Sequence, residues 1–115
     1  MPFVSIQTNQ NLEQSNRQAV LTKLSAFTAD LLSKPESKVM AQIEAGAGML
    51  FAGSDEPAAF VRLKSIGLPR DRCSEYADKI SDFLERELSI SKSRIFIDFT
   101  DIDRSLFALN GKTFA

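Results

Sequence analysis

The segment FVSIQT at residues 3–8 recurs in outline as FVRLKSI at residues 60–66, and this repetition decides the fold. Both segments alternate apolar and polar residues, which is the pattern of a β-strand with one buried face. Three apolar positions match at an offset of 57 residues, namely Phe3, Val4 and Ile6 against Phe60, Val61 and Leu63. The two copies predict two equivalent strands.

Each predicted strand is followed by apolar residues at 3-to-4 spacing, the pattern of an amphipathic helix. The first series is Val20, Leu21, Leu24, Phe27, Leu31 and Leu32, and the second is Tyr76, Ile80, Phe83, Leu84 and Leu88. An offset of 56 residues aligns the two helices and also places KVMAQI at 38–43 on RIFIDF at 94–99. The chain is therefore predicted to be one domain of two βαβ units, at about residues 1–57 and 58–115.

The two units together predict an α+β sandwich. A βαβ crossover joins parallel strands and is almost always right-handed, so each unit lays its helix across the sheet. We predict a four-stranded mixed sheet with both helices on one face. The other face is expected to be apolar and uncovered, which favours assembly with further copies of the chain.

The remaining segments predict turns and short strands at the edges of the sheet. The glycine-rich stretch 44–53 predicts a hairpin with a short strand at 49–51. Residues 100–104 predict a polar turn, and residues 105–109 and 113–115 predict short terminal strands.

Composition excludes several classes of function. The chain has 115 residues, of which 43% are hydrophobic and 25% are charged, as in a soluble globular domain. Fourteen basic and fifteen acidic residues give a net charge of -1, and no helix carries a basic stripe, so no nucleic-acid partner is expected. With no histidine and a single cysteine, Cys73, neither Ser-His nor Cys-His catalysis is available. We expect no metal and no other cofactor.

The N-terminal stretch MPFVSIQTNQ lacks the charged and apolar regions of a signal peptide. No apolar run approaches the roughly 20 residues that span a bilayer. We therefore expect no membrane partner and a cytoplasmic location.

Five short motifs are spread along the chain: Met1-Pro2-Phe3, Lys34-Pro35, Gly53-Ser54-x-Glu56-Pro57, Ser65-Ile66-Gly67 and Thr113-Phe114-Ala115. In order, spacing and chain length they resemble the macrophage migration inhibitory factor and D-dopachrome tautomerase family. The resemblance covers the whole chain. It implies a homotrimer whose sheets form a central barrel, and a keto-enol tautomerase that acts on a small α-keto acid or enol of the phenylpyruvate type.

Pro2 is the expected catalytic residue. A proline at position 2 can simply mark a chain from which Met1 is removed, but the resemblance gives it a chemical role. Once Met1 is absent, Pro2 carries a free secondary amine. An α-amino group has a pKa near about 7.7–8.0, and an apolar pocket with a nearby cation lowers that pKa. The neutral amine can then take a proton from the carbon beside a carbonyl and return it elsewhere.

The resemblance assigns substrate binding to six residues: Lys34, Ile66, Phe96, Asp98, Phe107 and Leu109. Lys34 matches a lysine that holds the carboxylate or carbonyl oxygen of the substrate, although a cation in the last turn of a helix also favours the helix dipole. Ile66 matches a position that contacts substrate through its backbone. It is equally well explained as an ordinary strand residue before the turn at Gly67.

Four of these positions lie at the expected pocket wall and rim, and three of them depart from the family pattern. Phe96 replaces a tyrosine that reaches the site from the adjacent subunit, so an aromatic wall remains without its hydroxyl. Asp98 replaces an asparagine and brings a negative charge, unless it is simply a solvent-facing strand residue. Phe107 and Leu109 keep the pocket rim apolar, with Leu109 in place of a tryptophan.

Two other classes of function stay open. The chain could be a cytokine-like binding or signalling protein with a vestigial tautomerase site. It could also resemble relatives that hydrate or decarboxylate small acids, but those have arginines near the start of the chain, whereas the first arginine here is Arg17. The cytokine's Cys-x-x-Cys aligns with residues 58–61 (AAFV), so thiol-disulfide exchange there is excluded.

Overall fold

A computed structural model describes residues 1–115 and contains the predicted repeat of strand, helix and strand. The first unit consists of β1 (Phe3–Thr8), α1 (Gln14–Leu32) and β2 (Met40–Glu44). The second consists of β3 (Ala59–Ile66), α2 (Cys73–Leu88) and β4 (Ile95–Ile102), and a hairpin of β5 (Ala108–Leu109) and β6 (Lys112–Thr113) follows. Neither helix has the length and apolar character needed to cross a bilayer.

The predicted four-stranded mixed sheet is confirmed, with strand order β2-β1-β3-β4. Within each unit the two strands are parallel, as a βαβ crossover requires. The units join through β1 and β3, which are antiparallel, with Val4 opposite Leu63 and Ile6 opposite Val61. Four apolar side chains thus meet at the centre of the molecule.

Both helices cover the same face of the sheet, as predicted. A single core cluster of 15 buried residues draws side chains from both units. The rings of Phe27 in α1 and Phe83 in α2 lie 4.7 Å apart, so the helices contact one another as well as the sheet. Burying a large apolar side chain such as Leu24 or Ile80 contributes about 1.5–3 kcal/mol, which explains why the 3-to-4 pattern determines this face.

The repeat extends into the connections after the helices. Each helix ends at a serine in the left-handed conformation, Ser33 with φ 53° and Ser89 with φ 55°. A one-turn 3-10 helix follows at the same offset, at Glu36–Lys38 and at Lys92–Arg94. Consequently β2 begins at Met40, two residues later than predicted.

Three other details of the prediction are wrong. Residues 49–51 form no strand, because the chain there makes only one isolated bridge, between Phe51 and Ser54, closed by the turn at Ala52 and Gly53. The polar turn expected at 100–104 starts later, since β4 continues its parallel pairing with β3 as far as Ile102. The terminal strands are shorter than predicted and are joined by Asn110 and Gly111, whose positive φ angles suit a tight hairpin turn.

The face of the sheet opposite the helices is uncovered, but it is not apolar as expected. Arg62 and Asp98 occupy neighbouring positions at its centre, and both are exposed. Apolar residues lie toward the edges, with Phe96 62% and Met40 66% exposed. Since alternate strand residues face this side, the polar positions of β3 and β4 make it a mixed surface.

The loop before β3 is held by two side chains, Asn9 and Arg94. The guanidinium of Arg94 donates hydrogen bonds of 2.9–3.1 Å to four backbone oxygens, those of Phe51, Ser54, Glu56 and Pro57. The guanidinium also lies over the Phe51 ring, with its central carbon 5.2 Å from the ring centroid. A planar fork of N–H donors is suited to several acceptors at once.

We expect Arg94→Gln to lower the free energy of unfolding by about 1–2 kcal/mol, because four carbonyl groups, two of them part-buried, lose a charged donor. Urea unfolding followed by circular dichroism measures the change. The matched control is Arg70→Gln, since Arg70 is exposed and should shift stability by less than about 0.5 kcal/mol. Equal stabilities of the two variants would contradict a role of Arg94 in holding the loop.

Candidate active site

The N-terminal end of β1 lies between the ends of two neighbouring strands. Phe3 is paired with Met40 of β2 on one side and with Lys64 of β3 on the other. The carbonyl oxygen of Pro2 accepts a hydrogen bond of 3.0 Å from the backbone N–H of Met40. Pro2 is buried, whereas Met1 is half-buried. The sheet therefore fixes the position of Pro2 from both sides.

A cavity of about 450 Å³ opens beside this segment. Its lining residues are Met1, Pro2, Phe3, Ser37, Lys38, Val39, Met40, Lys64, Phe107, Ala108, Leu109 and Phe114. Three residues predicted from the sequence, Pro2, Phe107 and Leu109, are thus brought together. The volume lies in the range of small-molecule sites.

The C-terminal hairpin supplies the apolar wall of this cavity. The rings of Phe107 and Phe114 lie with centroids 6.1 Å apart. The backbone N–H of Phe114 donates to the carbonyl oxygens of Phe107 and Arg104, at 3.0 and 3.1 Å. These bonds fix both rings beside the N-terminal strand. The wall suits an aromatic or aliphatic group of a ligand.

Lys38 and Lys64 also line the cavity, and the sequence analysis missed both. Lys64 reaches it because β1 and β3 are antiparallel, which puts Lys64 opposite Phe3. Lys38 reaches it because the 3-10 turn ends just before β2 begins beside Pro2. A signal existed for Lys64, since it alternates with Ile66 and Arg62 on the uncovered side of a predicted strand.

The cavity is electropositive around the N-terminal amine. The pKa of the Met1 amine is lowered from its ordinary value of 8.0, first by burial and then by the positive charges of Lys34, Arg104 and Lys38. Burial and positive neighbours both disfavour the protonated amine. The neutral form, which is the basic form, consequently persists to lower pH than in an exposed terminus.

Lys34 does not line this cavity, and its predicted place in the last turn of the helix is wrong. Helix α1 ends at Leu32, and the backbone N–H of Lys34 bonds back to the Ala29 oxygen at 2.9 Å. Its side chain borders a smaller cavity of about 220 Å³, together with Ser65 and Gly67. Lys34 nevertheless stays close enough for its charge to act on the N-terminal amine.

The other predicted substrate-binding residues lie away from the cavity of their own chain. Ile66 is half-buried at the end of β3, where it is paired with Ile102. Phe96 pairs in register with Phe60 toward the far end of the sheet and contacts the Phe51 ring at 5.2 Å. Asp98 is exposed beside Arg62 on the uncovered face. Their assignment to a substrate site stays a prediction.

Comparison with known proteins agrees with this geometry. The family model for macrophage migration inhibitory factor (MIF) matches residues 1–115. A macrophage migration inhibitory factor homolog of Brugia malayi is 41% identical over 115 residues, 99% of each chain. A D-dopachrome decarboxylase of Bos taurus is 36% identical over 107 residues, 90% of this chain and 89% of the relative.

Solved structures are similar over the same span. The macrophage migration inhibitory factor homologue of Prochlorococcus marinus has a TM-score of 0.91 and 35% identity, covering 98% of this chain and 99% of that chain. The Trichinella spiralis protein has a TM-score of 0.89 and 32% identity, covering 97% and 99%. The fold, in which two βαβ units form one four-stranded sheet, is therefore shared with these proteins. The chain belongs to the macrophage migration inhibitory factor family.

We expect Lys34→Gln and Lys38→Gln each to raise the pKa of the N-terminal amine toward its ordinary value of 8.0, because each removes a nearby positive charge. Acylation of the terminal amine as a function of pH, quantified by peptide mass spectrometry, measures that pKa. Intact mass determines beforehand whether Met1 or Pro2 is terminal.

The control for this measurement is Lys79→Gln, since Lys79 pairs with Glu75 on the surface of α2 at 3.3 Å. This variant should leave the pKa of the terminal amine unchanged. If the Lys34 and Lys38 variants behave like it, the cations around the cavity do not control the amine.

Proposed function

We propose that the chain is a keto-enol tautomerase for α-keto acids of the phenylpyruvate type, with the Pro2 amine as general base and acid after Met1 is removed. Family membership supports a tautomerase-type enzyme or a cytokine-like role. The single observation that favours the enzyme is the N-terminal amine, which borders an apolar cavity whose only charged side chains are cationic.

Removal of Met1 would transfer the terminal charge to Pro2, which is buried and lines the same cavity. A secondary amine there experiences the same two influences, burial and nearby cations, which lower the pKa of the terminal amine. The neutral, basic form of the amine then persists to lower pH than it would in an exposed terminus. A general base is most effective when its pKa lies near the working pH.

The reaction needs only proton transfers. The Pro2 nitrogen takes a proton from the carbon next to the keto group, and the electron pair of the broken C–H bond forms the carbon–carbon double bond. The protonated amine then gives its proton to the carbonyl oxygen to form the enol. In the reverse direction the protonated amine returns the proton to carbon. Lys34 holds the carboxylate or carbonyl oxygen of the substrate, an interaction that is similar in the ground state and the transition state. The apolar wall formed by Phe107 and Phe114 accommodates the ring of the substrate.

We also propose that the protein assembles as a homotrimer. The support is the uncovered face and the free edges of the sheet, which leave Phe96 62% and Met40 66% exposed in the single chain. In such an assembly Phe96 and Asp98, which are remote from the cavity of their own chain, would reach the cavity of a neighbour. The site would then need two subunits.

A cytokine-like binding role is the second candidate. Phe96 has no hydroxyl, and Asp98 would place a carboxylate near an anionic substrate. Both departures weaken a shared tautomerase site, whereas they leave a binding surface intact. Measured turnover separates the two candidates, because a vestigial site would give none.

For the enzyme, Pro2→Ala should reduce kcat for phenylpyruvate by about a hundred- to ten-thousand-fold, because a freely rotating primary amine replaces a positioned secondary one. Lys34→Ala should mainly raise KM, because it removes an interaction with substrate that is similar in ground state and transition state. Enol formation, followed by ultraviolet absorbance, measures both.

These assays need protein whose mass confirms the loss of Met1. Lys79→Ala, on the surface of α2, serves as the control and should match the wild-type rate. If Pro2→Ala has wild-type activity, the amine is not the base.

For the assembly, sedimentation at micromolar concentration should give three times the chain mass of 12.7 kDa. Phe96→Lys should shift the protein toward monomers, because it would bury an unpaired charge in the interface. Ala26→Lys, at an exposed position on α1, should leave the trimer intact. A monomeric wild-type protein would overturn this proposal.

A further inference from the structure

Two lysines converge on the candidate active-site cavity from different parts of the chain. Lys38 comes from the 3-10 turn before β2, and Lys64 comes from β3. Strand β1 lies between them, since Phe3 is paired with Met40 on one side and Lys64 on the other. The pairing of the strands therefore places the two lysines at the same cavity, although they are far apart in sequence.

Neither lysine is neutralised within the chain. The ion pairs within 4.0 Å involve other cations, namely Lys23, Arg72, Lys79, Arg86 and Lys92. No aspartate or glutamate lines the cavity. Arg104, whose charge also acts on the terminal amine, donates a hydrogen bond of 3.4 Å to the backbone oxygen of Phe114 and has no acidic partner. The surroundings of the cavity are thus positive in a protein whose net charge is -1.

One cation is enough to attract the carboxylate of a simple α-keto acid, and Lys34 is available for that role beside the neighbouring cavity. Lys34, Lys38 and Lys64 together carry three positive charges. One substrate carboxylate and the Asp98 carboxylate of a neighbouring subunit in the proposed trimer would offset two of them, so one cation is still without a counter-charge. Like charges around a largely apolar cavity repel one another, and a bound anion relieves that repulsion. The excess of cations indicates a ligand with a second anionic group.

We infer that the cavity takes an α-keto acid with two carboxylates, and that Lys38 and Lys64 bind the carboxylate remote from the reacting carbon. This inference rests on the proposed tautomerase function. The body of the substrate lies against Phe107 and Phe114. The carboxylate next to the keto group lies near the terminal amine, where the charge of Lys34 acts from outside the cavity. Lys38 and Lys64 are then determinants of specificity, and neither takes or gives a proton in the reaction.

The test compares two substrates that differ by a single carboxylate, phenylpyruvate and 4-carboxyphenylpyruvate. The ratio of their kcat/KM values cancels any effect of a substitution on the amine, because that effect is common to both. Wild-type protein should favour the diacid by about tenfold or more at low salt, and Lys38→Gln and Lys64→Gln should each reduce the ratio several-fold, as partly exposed charge pairs do. The ratio should fall with added salt.

Lys112→Gln is the matched control. Lys112 is exposed on β6 near the cavity but does not line it, and it forms no ion pair. Its replacement removes one positive charge from the same side of the molecule, so the substrate ratio should stay within about twofold of wild type, because a solvated charge beyond the site is largely screened.

A binding measurement separates this inference from the tautomerase proposal. Calorimetric titration with 3-(4-carboxyphenyl)propionate and with 3-phenylpropionate needs no turnover. Tighter binding of the diacid that is lost in the Lys38 and Lys64 variants supports the second anion site, even if no substrate is turned over and the tautomerase proposal fails. Tautomerase activity with no preference for either diacid would overturn the inference alone.

Discussion

The antiparallel pairing of β1 with β3 is the constraint on which the rest of the structure depends. Each βαβ unit alone has two strands and one helix, too little to enclose a core. Joining them through Val4 and Leu63 produces one sheet and lets α1 and α2 contact each other over it. The same pairing places the start of β1 beside Lys64. The register between β1 and β3 therefore determines both the fold and the arrangement of the site.

The site is accordingly built where the ends of several strands meet, and no single sequence motif contains it. Its floor is the start of β1, its two lysines come from one connection and one strand, and its apolar wall is the last hairpin. Because backbone hydrogen bonds hold Pro2 and Phe114 in place, the cavity does not depend on flexible side chains for its shape. Such rigidity suits the proposed reaction, in which one nitrogen takes a proton from one atom of a small substrate and gives it to another.

Local patterns predicted the strands, the helices and their repeat because the alternation around Val4 and the 3-to-4 spacing around Leu24 report burial directly. The resemblance gave Pro2, Phe107 and Leu109, which the fold brings to one cavity. Lys38 and Lys64 escaped prediction because their convergence depends on register between distant strands. The prediction that the uncovered face is apolar is wrong. Arg62 and Asp98 lie side by side at its centre, and this pairing depends on the register between two strands that are distant in sequence.

The loop held by Arg94 has a different consequence. All four hydrogen bonds go to backbone oxygens, which every amino acid provides. Side chains at most positions of that loop are therefore free to diverge during evolution without losing the anchor, provided the backbone keeps its path through Gly53. Relatives that keep the Gly53-Ser54-x-Glu56-Pro57 pattern should keep the guanidinium as well, since the anchor depends on the backbone path of this segment and not on its side chains.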